Sequence, residues 1–374
     1  MCGLNLTGRS NVTIKNVLAK WWDYDFYLIN SCNNTITGNT GSSYNSFYLI
    51  NSCNNTITGN IVTAYYYSLG GFFLSDSSNN SLSGNVMVRS GLFMSGSLAS
   101  LTSNVVDQSN TVNGRVLYYY VSESGLSSAN FTNAGQVILV NCSDSEISDL
   151  SISNTYAGIE VYYSSNITIS RNSISSNNYG IYLSNSNNNT LIGNTANNNA
   201  NQNGLGFYLD SSSYNTLSNN TAKNNGCGGF LLEDSNYNNL TGNTATNNGW
   251  YYTALNAGFG FQLSGSLYNN LSGNIAEYNY KGFVLRSSSH NIVTGNTIVN
   301  FWVGDLDIDM SSVNNTVENN TIISMASSLL RALVYGECVS FYFYQQNIPS
   351  ASFSDSRFIG CGGYGCFSML SGCL

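Results

Sequence analysis

The densest group of acidic residues is Asp305-Leu306-Asp307-Ile308-Asp309, in which carboxylates alternate with apolar side chains. If this segment is a strand, Asp305, Asp307 and Asp309 lie on one face, because successive side chains point to opposite sides. Clustered carboxylates could cleave a glycosidic bond or bind Ca²⁺. The alternative is an exposed polar strand face. No catalytic residue is assigned, and these three are the candidates.

Other groups that such chemistry needs are scarce. The chain has one histidine, His290, and only 11 Lys and Arg against 19 Asp and Glu. A polysaccharide lyase needs a basic residue beside its acids, and a copper site needs several His or Met ligands. Enzyme activity is therefore disfavoured and no metal site is assigned. If the protein is an enzyme, we expect a polysaccharide lyase or a glycoside hydrolase.

Charge and hydropathy exclude two further classes of function. The net charge of −8 argues against nucleic-acid binding, which needs a basic surface. No run of about 18 apolar residues is present, so we expect no membrane span. Met1-Cys2-Gly3-Leu4-Asn5 has neither the basic start nor the apolar stretch of a signal peptide. We therefore expect that the chain either begins after processing or is a fragment.

Nine cysteines occur, and none forms a Cys-x-x-Cys pair, so a zinc site is not expected. Cys32 and Cys53 occupy the same position of two adjacent repeats. Stacked repeats would bring their Cα atoms about 4.8 Å apart, within the range of a disulfide. We predict this disulfide, which would imply an oxidising compartment. The alternative is two buried free thiols.

The chain contains fourteen Asn-x-Ser/Thr acceptors for N-glycosylation. They are Asn5, Asn11, Asn33, Asn54, Asn79, Asn130, Asn141, Asn166, Asn188, Asn219, Asn239, Asn270, Asn314 and Asn319. Six of them, such as Asn33 and Asn54, lie three residues before an inward aliphatic residue. Their sugars would line one edge of the molecule. The alternative is that a repeat rich in Asn and Thr produces such tripeptides by chance.

Internal repetition decides the fold. Ser31-Cys32-Asn33-Asn34-Thr35-Ile36-Thr37-Gly38-Asn39 recurs from Ser52 to Asn60, and looser copies follow, most often 21 to 26 residues apart, with one spacing of 31 between Asn243 and Asn274. A second pattern, Gly, apolar, any, apolar, precedes each copy by about ten residues, as in Gly206-Phe207-Tyr208-Leu209. Such coils cannot bury their apolar faces alone and must stack. The sequence predicts a right-handed parallel β-helix of roughly 12–14 coils, about 60 Å long.

Two side-chain rows should run along these coils. One inward Asn per coil, for example Asn39, Asn60, Asn194 and Asn243, would form an amide ladder. Outward aromatic residues in matching positions would form a strip, namely Tyr27, Tyr48, Phe73, Tyr182 and Tyr208. This strip could bind sugar rings or a neighbouring molecule. The alternative is that it only stabilises the sheet.

Four segments carry a resemblance to a known family. They are Asn-Asn-Thr-Ile-Thr-Gly-Asn, Gly-Ile-Tyr-Leu-Ser-Asn-Ser, residues 110–119 and residues 135–142. They resemble NosD-like repeats and the β-helices of carbohydrate-binding and sugar-hydrolase (CASH) proteins, in an archaeal surface variant, over about residues 5–325. The resemblance implies the β-helix fold, but the family includes enzymes, binders and structural rods. The Gly-His-Gly and Arg-x-Lys motifs of polygalacturonase-type hydrolases are absent.

We therefore expect residues 1–324 to form the β-helix, with an irregular insertion at 90–134, and residues 325–374 to form a Cys-rich cap or assembly segment. The favoured function is a secreted, N-glycosylated structural protein of a microbial, archaeal cell surface that associates into a homo-oligomer, filament or surface layer. The second hypothesis is a carbohydrate-binding or carbohydrate-cleaving module. The third is a periplasmic NosD-like factor for copper-enzyme maturation.

Overall fold

The computed structural model describes residues 2–43, 45–64, 70–199, 203–249, 258–300 and 305–324, and the backbone of five further strands up to residue 370. The chain divides into two compact units, Met1–Asn187 and Asn188–Leu374. Each is built almost entirely from short parallel strands. The predicted Cys-rich cap at 325–374 lies largely outside the described residues and stays a prediction.

In the first unit the strands are β1 (Cys2–Asn5), β2 (Thr13–Lys15), β3 (Leu18–Lys20), β4 (Tyr24–Ile29), β5 (Thr35–Thr37), β6 (Thr40–Ser42), β7 (Asn45–Ile50), β8 (Thr56–Thr58), β9 (Ile61–Thr63), β10 (Gly70–Ser75), β11 (Ser81–Ser83), β12 (Val86–Val88), β13 (Gly91–Ser95), β14 (Val105–Val106), β15 (Thr111–Val112), β16 (Arg115–Val121), β17 (Ala134–Val140), β18 (Ser143–Ser148), β19 (Ser151–Ser153), β20 (Ala157–Tyr162), β21 (Ser165–Ser170), β22 (Ser173–Ser175) and β23 (Tyr179–Ser184). Helix α1 (Leu98–Thr102) follows β13, and a 3-10 turn (Ser128–Phe131) follows β16.

In the second unit the strands are β24 (Thr190–Ile192), β25 (Thr195–Asn197), β26 (Leu205–Asp210), β27 (Thr216–Ser218), β28 (Thr221–Lys223), β29 (Gly228–Glu233), β30 (Asn239–Thr241), β31 (Thr244–Thr246), β32 (Phe259–Ser264), β33 (Asn270–Ser272), β34 (Ile275–Glu277), β35 (Lys281–Arg286), β36 (Ile292–Thr294), β37 (Thr297–Asn300), β38 (Leu306–Ile308), β39 (Thr316–Glu318), β40 (Thr321–Ser324), β41 (Leu333–Tyr335), β42 (Cys338–Ser340), β43 (Ser352–Ser354), β44 (Arg357–Gly362) and β45 (Gly365–Leu370).

The first stack of the first unit, residues 2–113, has three sheets. Sheet 1 has the order β1-β4-β7-β10-β13, sheet 2 holds β2, β5, β8, β11 and β14, and sheet 3 holds β3, β6, β9, β12 and β15. Each coil adds one strand to each sheet, in register. Phe26, Phe47 and Phe72 stack in the interior with ring centroids 4.5 Å apart. The predicted parallel solenoid is confirmed in this stack.

Between residues 91 and 137 the long strand of each coil moves from sheet 1 to sheet 3, which we call the phase change of the solenoid. Strand β15 turns back into β16 as an antiparallel hairpin, and β16 then pairs in parallel with β17. From this point sheet 3 carries the long strands β17, β20 and β23, whereas sheet 1 ends at β13. The irregular segment predicted at 90–134 therefore contains α1, this hairpin and the 3-10 turn. Residues 115–187 form a second stack.

The second unit repeats the same three-strand coil. Its long strands place Phe207, Phe230, Phe261 and Phe283 in one buried row, with neighbouring ring centroids 4.6–4.7 Å apart. Glycine precedes these rings because the corner is tight: a Cβ on Gly229 would lie 2.6 Å from the carbonyl oxygen of Gly260. The expected Gly-apolar-any-apolar strand thus has a steric cause.

The predicted amide ladders are present in both units. In the first, the side-chain amide of Asn39 donates to Oδ1 of Asn60 over 3.0 Å, and Asn60 donates to Asn85 over 3.0 Å. Each Oδ1 also accepts a backbone N–H from the neighbouring coil, as from Asn39 to Asn60 over 2.9 Å. In the second, Asn194, Asn220 and Asn243 repeat the pattern over 2.9–3.0 Å. These fully buried amides therefore satisfy one another.

Candidate functional site

The glycan acceptors lie at the surface. Thirteen of the fourteen acceptor asparagines are exposed, and Asn270 is half-buried. In the turns, an exposed Asn with positive φ comes directly before a buried ladder Asn, as at Asn33 (φ 60°) and Asn34. Asn tolerates this left-handed conformation better than most residues. Asn33, Asn54 and Asn79 are one coil apart and form a row.

Four of the five predicted strip residues lie in the first unit, where other aromatic rings join them. Tyr27 stacks on Tyr48 at 5.7 Å between ring centroids, and Tyr48 stacks on Phe73 at 4.5 Å. Phe93 lies 5.5 Å from Phe73 and 5.8 Å from Tyr182, so it links the two stacks. Tyr208 lies in the second unit, where its hydroxyl donates to Glu233 over 2.6 Å.

Where the two stacks meet, these rings form an aromatic corner, which we define as Tyr48, Phe73, Phe93, Tyr156, Tyr179 and Tyr182. Phe93 lies 4.4 Å from Tyr156, and Tyr156 lies 5.8 Å from Tyr179. Phe93, Tyr156 and Tyr179 were not expected from the sequence. They meet the strip only because the solenoid changes phase, and no repeat position signals that change.

The buried side chains of Gln136 and Glu160 lie beside this corner and cover β13, the last strand of sheet 1. The Gln136 side chain accepts the backbone N–H of Leu92 over 3.0 Å and donates to the Leu92 carbonyl over 2.7 Å. Gln136 also donates to Glu160 over 2.8 Å. The backbone N–H of Met94 donates to the same carboxyl. Side chains therefore satisfy the backbone of β13 as a further strand would.

The hydrogen-bond inventory assigns a proton to Glu160. The single hydroxyl hydrogen of Tyr162 faces two acceptors, the Met94 carbonyl at 2.5 Å and Oε2 of Glu160 at 2.7 Å. A protonated Glu160 can donate to Tyr162 while Tyr162 donates to Met94, which satisfies every group. Burial raises the pKa of Glu160 well above its usual range, although its hydrogen bonds with Tyr162, Gln136 and Met94 act in the opposite direction. Glu160 is 0% exposed and cannot touch a substrate.

The aspartate candidates are engaged in contacts within the protein. Strand β38 covers only Leu306–Ile308, so Asp305 and Asp309 lie at its ends. Asp307 accepts from Lys281 over 2.8 Å and pairs with Arg286. Burial would raise the pKa of Asp307, but the hydrogen bonds from Arg286 and Lys281 outweigh it and hold the pKa below its usual value.

Asp309 accepts hydrogen bonds from Ser311, Ser312 and the backbone N–H of Ser287. Among the residues that the structure describes, no group of three or more His, Cys, Asp and Glu side chains is arranged to hold a metal ion. Likewise, no described helix is long and apolar enough to cross a membrane.

Cys32 and Cys53 form a disulfide between adjacent coils, with Cα atoms 4.5 Å apart. Cys2, Cys142 and Cys227 are free thiols, and burial raises the pKa of Cys227 to about 11. The thiol of Cys227 therefore stays protonated near neutral pH. The side chains of Cys338, Cys361, Cys366 and Cys373 lie outside the described residues.

Removing the disulfide with Cys32→Ala and Cys53→Ala is expected to lower the free energy of unfolding by about 3 kcal/mol, because the bond closes a loop with a sequence separation of 21. Urea unfolding of the double variant and the wild type measures this difference. Cys2→Ala, which removes a free thiol, is the control and should leave the transition unchanged. Equal stability of the double variant and the wild type would contradict the prediction.

Comparison with known proteins places this geometry in a family. Residues 116–259 and 250–373 match the model of the right handed beta helix region, and residues 1–123 match that of the periplasmic copper-binding protein NosD. A comparison with curated proteins gives no match.

Three solved structures illustrate the structural likeness. The periplasmic alginate epimerase AlgG is 16% identical, with 79% of this chain and 76% of that chain covered and a TM-score of 0.40. DFA-IIIase from Arthrobacter chlorophenolicus A6 is 11% identical, with 79% and 75% covered and a TM-score of 0.35. The surface adhesin PfbA of Streptococcus pneumoniae is 11% identical, with 98% and 79% covered and a TM-score of 0.33. Because the model of the right handed beta helix region spans well over half of this chain, the chain belongs to the right-handed β-helix family, and its residues 1–123 are similar to NosD.

Proposed function

We propose that the protein is a secreted, N-glycosylated structural element of a microbial, archaeal cell surface that associates with further copies of itself. The observation that carries this proposal is the exposure of the acceptor asparagines: thirteen of fourteen face solvent. The buried asparagines of each coil hydrogen-bond to one another in the amide ladders. Glycan acceptors and ladder asparagines are therefore different residues. The Cys32–Cys53 disulfide supports an oxidising compartment.

The aspartate cluster gives the enzymatic alternative no support from the described residues. Asp307 is held by two cations, and Asp309 is held by serine hydroxyls and a backbone N–H. A glycosidase needs two carboxyl groups facing a common bond and a raised pKa on one of them. Both Asp307 and Asp309 have lowered pKa values instead, although burial opposes this for each.

Mass spectrometry of glycopeptides from native material tests the glycosylation. We expect sugars on the exposed turn row Asn33, Asn54 and Asn79, because a transferase can reach their amides. We expect none on Asn270, which is half-buried and donates its amide to Asn239 over 3.0 Å. Asn270 therefore serves as the internal control. Unmodified peptides throughout the turn row would contradict the proposal.

Negative-stain images of the native material test the structural role. Regular polymers or lattices are the expected result. Dispersed monomers that degrade a panel of polysaccharides would overturn it.

A carbohydrate-binding module is the second candidate, and the aromatic corner favours it. Six rings from two stacks converge there. Phe93 and Tyr182 are buried, so Tyr182 is not the outward residue that the sequence predicts, and the half-buried rings Tyr48, Phe73, Tyr156 and Tyr179 are the ones that a sugar could reach. Aromatic faces suit the apolar faces of sugar rings. Quenching of protein fluorescence by added oligosaccharides, lost in Tyr179→Ala, would support this candidate.

The match of residues 1–123 to NosD suggests the third candidate, a copper-maturation factor. Copper analysis of the protein purified from its native source tests it.

A further inference from the structure

Four exposed aromatic rings form a second row, in the second unit. Tyr214, Tyr237, Tyr268 and His290 stack with ring centroids 5.0, 5.0 and 4.9 Å apart and interplanar angles of 2°, 5° and 11°. The three tyrosines are 57%, 48% and 46% exposed, and His290 is exposed as well. We call these four residues the tyrosine ladder.

The ladder occupies backbone positions that suit other residues better. Its four φ values lie between 56° and 59°, in the left-handed region. The same turn position is held by Asn188 and Asn314 in the coils on either side, with φ 58° in both. An aromatic residue in this region costs about 1 kcal/mol or more, and stacking between neighbouring rings offsets only part of it. Backbone strain of this kind is concentrated at functional sites in proteins, which points to a binding role for these four side chains.

The stacking limits what the ladder can bind. The faces of the two inner rings, Tyr237 and Tyr268, are turned toward their neighbours, so a flat ligand cannot stack on them. What remains in solvent is a series of ring edges and hydroxyl groups about 5 Å apart. That spacing is the strand separation of a β-sheet, and a second β-solenoid presents matching groups at the same interval.

The surroundings of the ladder do not oppose such a contact. The residues directly before its four members are Ser213, Asn236, Leu267 and Ser289, and those directly after are asparagines. Two copies would therefore meet without like charges at these positions, and the nearest charge in the turns is the exposed Asp234, three residues before Tyr237.

We propose that the tyrosine ladder is a self-association surface that packs against the tyrosine ladder of a second copy. The copies are antiparallel, related by a two-fold axis between Tyr237 and Tyr268. Isologous contact of this kind pairs each position with a different one on the partner copy. Tyr237 then meets Tyr268, and Tyr214 meets His290. This inference rests on the proposed function and specifies which face carries the association.

The size of the ladder sets the strength of the contact. Half-exposed aromatic side chains offer roughly 300–400 Å² per copy, about half of the 800 Å² per partner found in stable interfaces. Two isolated copies should therefore associate weakly. Repeated contacts within an array would add through effective concentration.

Four glycan acceptors lie beside the ladder: Asn188 and Asn314 hold the same turn position one coil beyond its two ends, and two more lie next to its inner rings, where their state must be compatible with the contact. Asn239 follows Tyr237 by two residues, and Asn270 follows Tyr268 by two. Their side-chain amides are joined by a hydrogen bond of 3.0 Å. The inference requires both to be unmodified, and sugars on them in native material would overturn it.

Sedimentation of the full-length protein over a range of concentrations tests the surface. The double variant Tyr237→Asn and Tyr268→Asn keeps residues that accept the left-handed backbone, so it should fold. We expect its dissociation constant to be at least ten times that of the wild type. Tyr278→Asn is the matched control: Tyr278 is 39% exposed with φ 56° but lies outside the ladder. It should associate like the wild type.

The outcomes separate this inference from the proposed function. Association of the double variant at wild-type strength overturns the ladder as the interface and leaves the structural role standing. A wild-type protein that stays monomeric at all concentrations overturns both.

Cysteine cross-linking tests the antiparallel register. Tyr237→Cys and Tyr268→Cys are made as separate variants and oxidised alone and as a mixture, with the wild type as background. Intermolecular disulfides are expected to be several-fold more abundant in the mixture. Equal yields from each variant alone would overturn the pairing of Tyr237 with Tyr268.

Discussion

Glu160→Gln is expected to flatten the pH dependence of the free energy of unfolding above pH 5. Glutamine keeps the shape of the protonated carboxyl and can still accept from Gln136 and donate toward Tyr162. In the wild type the pKa of Glu160 is raised in the folded state, chiefly by burial. The stabilisation from this group is therefore complete below the ordinary glutamate pKa of about 4.3 and is lost as pH rises toward the folded pKa. The loss is at most about 1.4 kcal/mol per pH unit.

Urea unfolding of the wild type and of Glu160→Gln between about pH 4 and pH 8 measures this effect. The range begins near the ordinary pKa of glutamate, where the stabilisation starts to be lost. The exposed Glu123→Gln is the control and should keep the wild-type slope. Glu160→Ala should in addition cost about 3 kcal/mol at pH 5, because Gln136, Tyr162 and the Met94 N–H lose a buried partner. A wild-type slope in Glu160→Gln would show that Glu160 is ionised in the folded protein.

Asn243→Leu is expected to destabilise the second unit by about 3–6 kcal/mol. Asn243 is 0% exposed and lies in the middle of a ladder. It accepts the backbone N–H and the side-chain amide of Asn220, both over 2.9 Å. It donates to the Leu217 carbonyl over 2.8 Å and to Asn274 over 3.0 Å. Leucine has a similar volume but removes the acceptor of both Asn220 hydrogen bonds and the side-chain donor to the Leu217 carbonyl, although Asn274 keeps the backbone N–H of residue 243 as a donor. Each buried hydrogen bond lost in this way costs about 1–3 kcal/mol.

The free energy of unfolding by urea checks this prediction. Asn224→Gly is the matched control, since Asn224 is an exposed turn residue with φ 56° that glycine tolerates. Its effect should stay within about 0.5 kcal/mol. If Asn243→Leu is as stable as the control, the ladder hydrogen bonds contribute nothing net over their solvation in the unfolded chain.

The repeat predicts most of the coil from local chemistry. An Asn-Asn step followed by an aliphatic residue needs one left-handed exposed residue and one buried amide, and Asn33 and Asn34 fill these positions. The pairing of Cys32 with Cys53 follows from the same register. Such features depend only on the next coil, so a repeated sequence contains the information to place them.

The remaining features depend on contacts between distant parts of the chain. Glu160 lies between the buried Ile159 and Val161, so strand alternation predicts that it faces solvent. It is buried because β13, more than sixty residues earlier, lies against that face, as the bond between Tyr162 and Met94 shows with a sequence separation of 68. Gly91-Leu92-Phe93-Met94 resembles every other long strand, and nothing in it marks the end of sheet 1. The tyrosine ladder was missed because each tyrosine sits singly in its turn.

The phase change also divides the first unit as a cooperative system. The ladders of the first stack end at Asn104 and Asn110, whose amides turn to nearby backbone carbonyls. Among the described strands of this unit, only sheet 3 continues through the change. Unfolding of a solenoid spreads from coil to coil. Unfolding that starts in the first stack should therefore pause when it reaches residues 91–137. Glu160 and Gln136 lie at this boundary and join β13 to the second stack, so we expect the melting of the two stacks to become less tightly coupled as pH rises toward the raised pKa of Glu160.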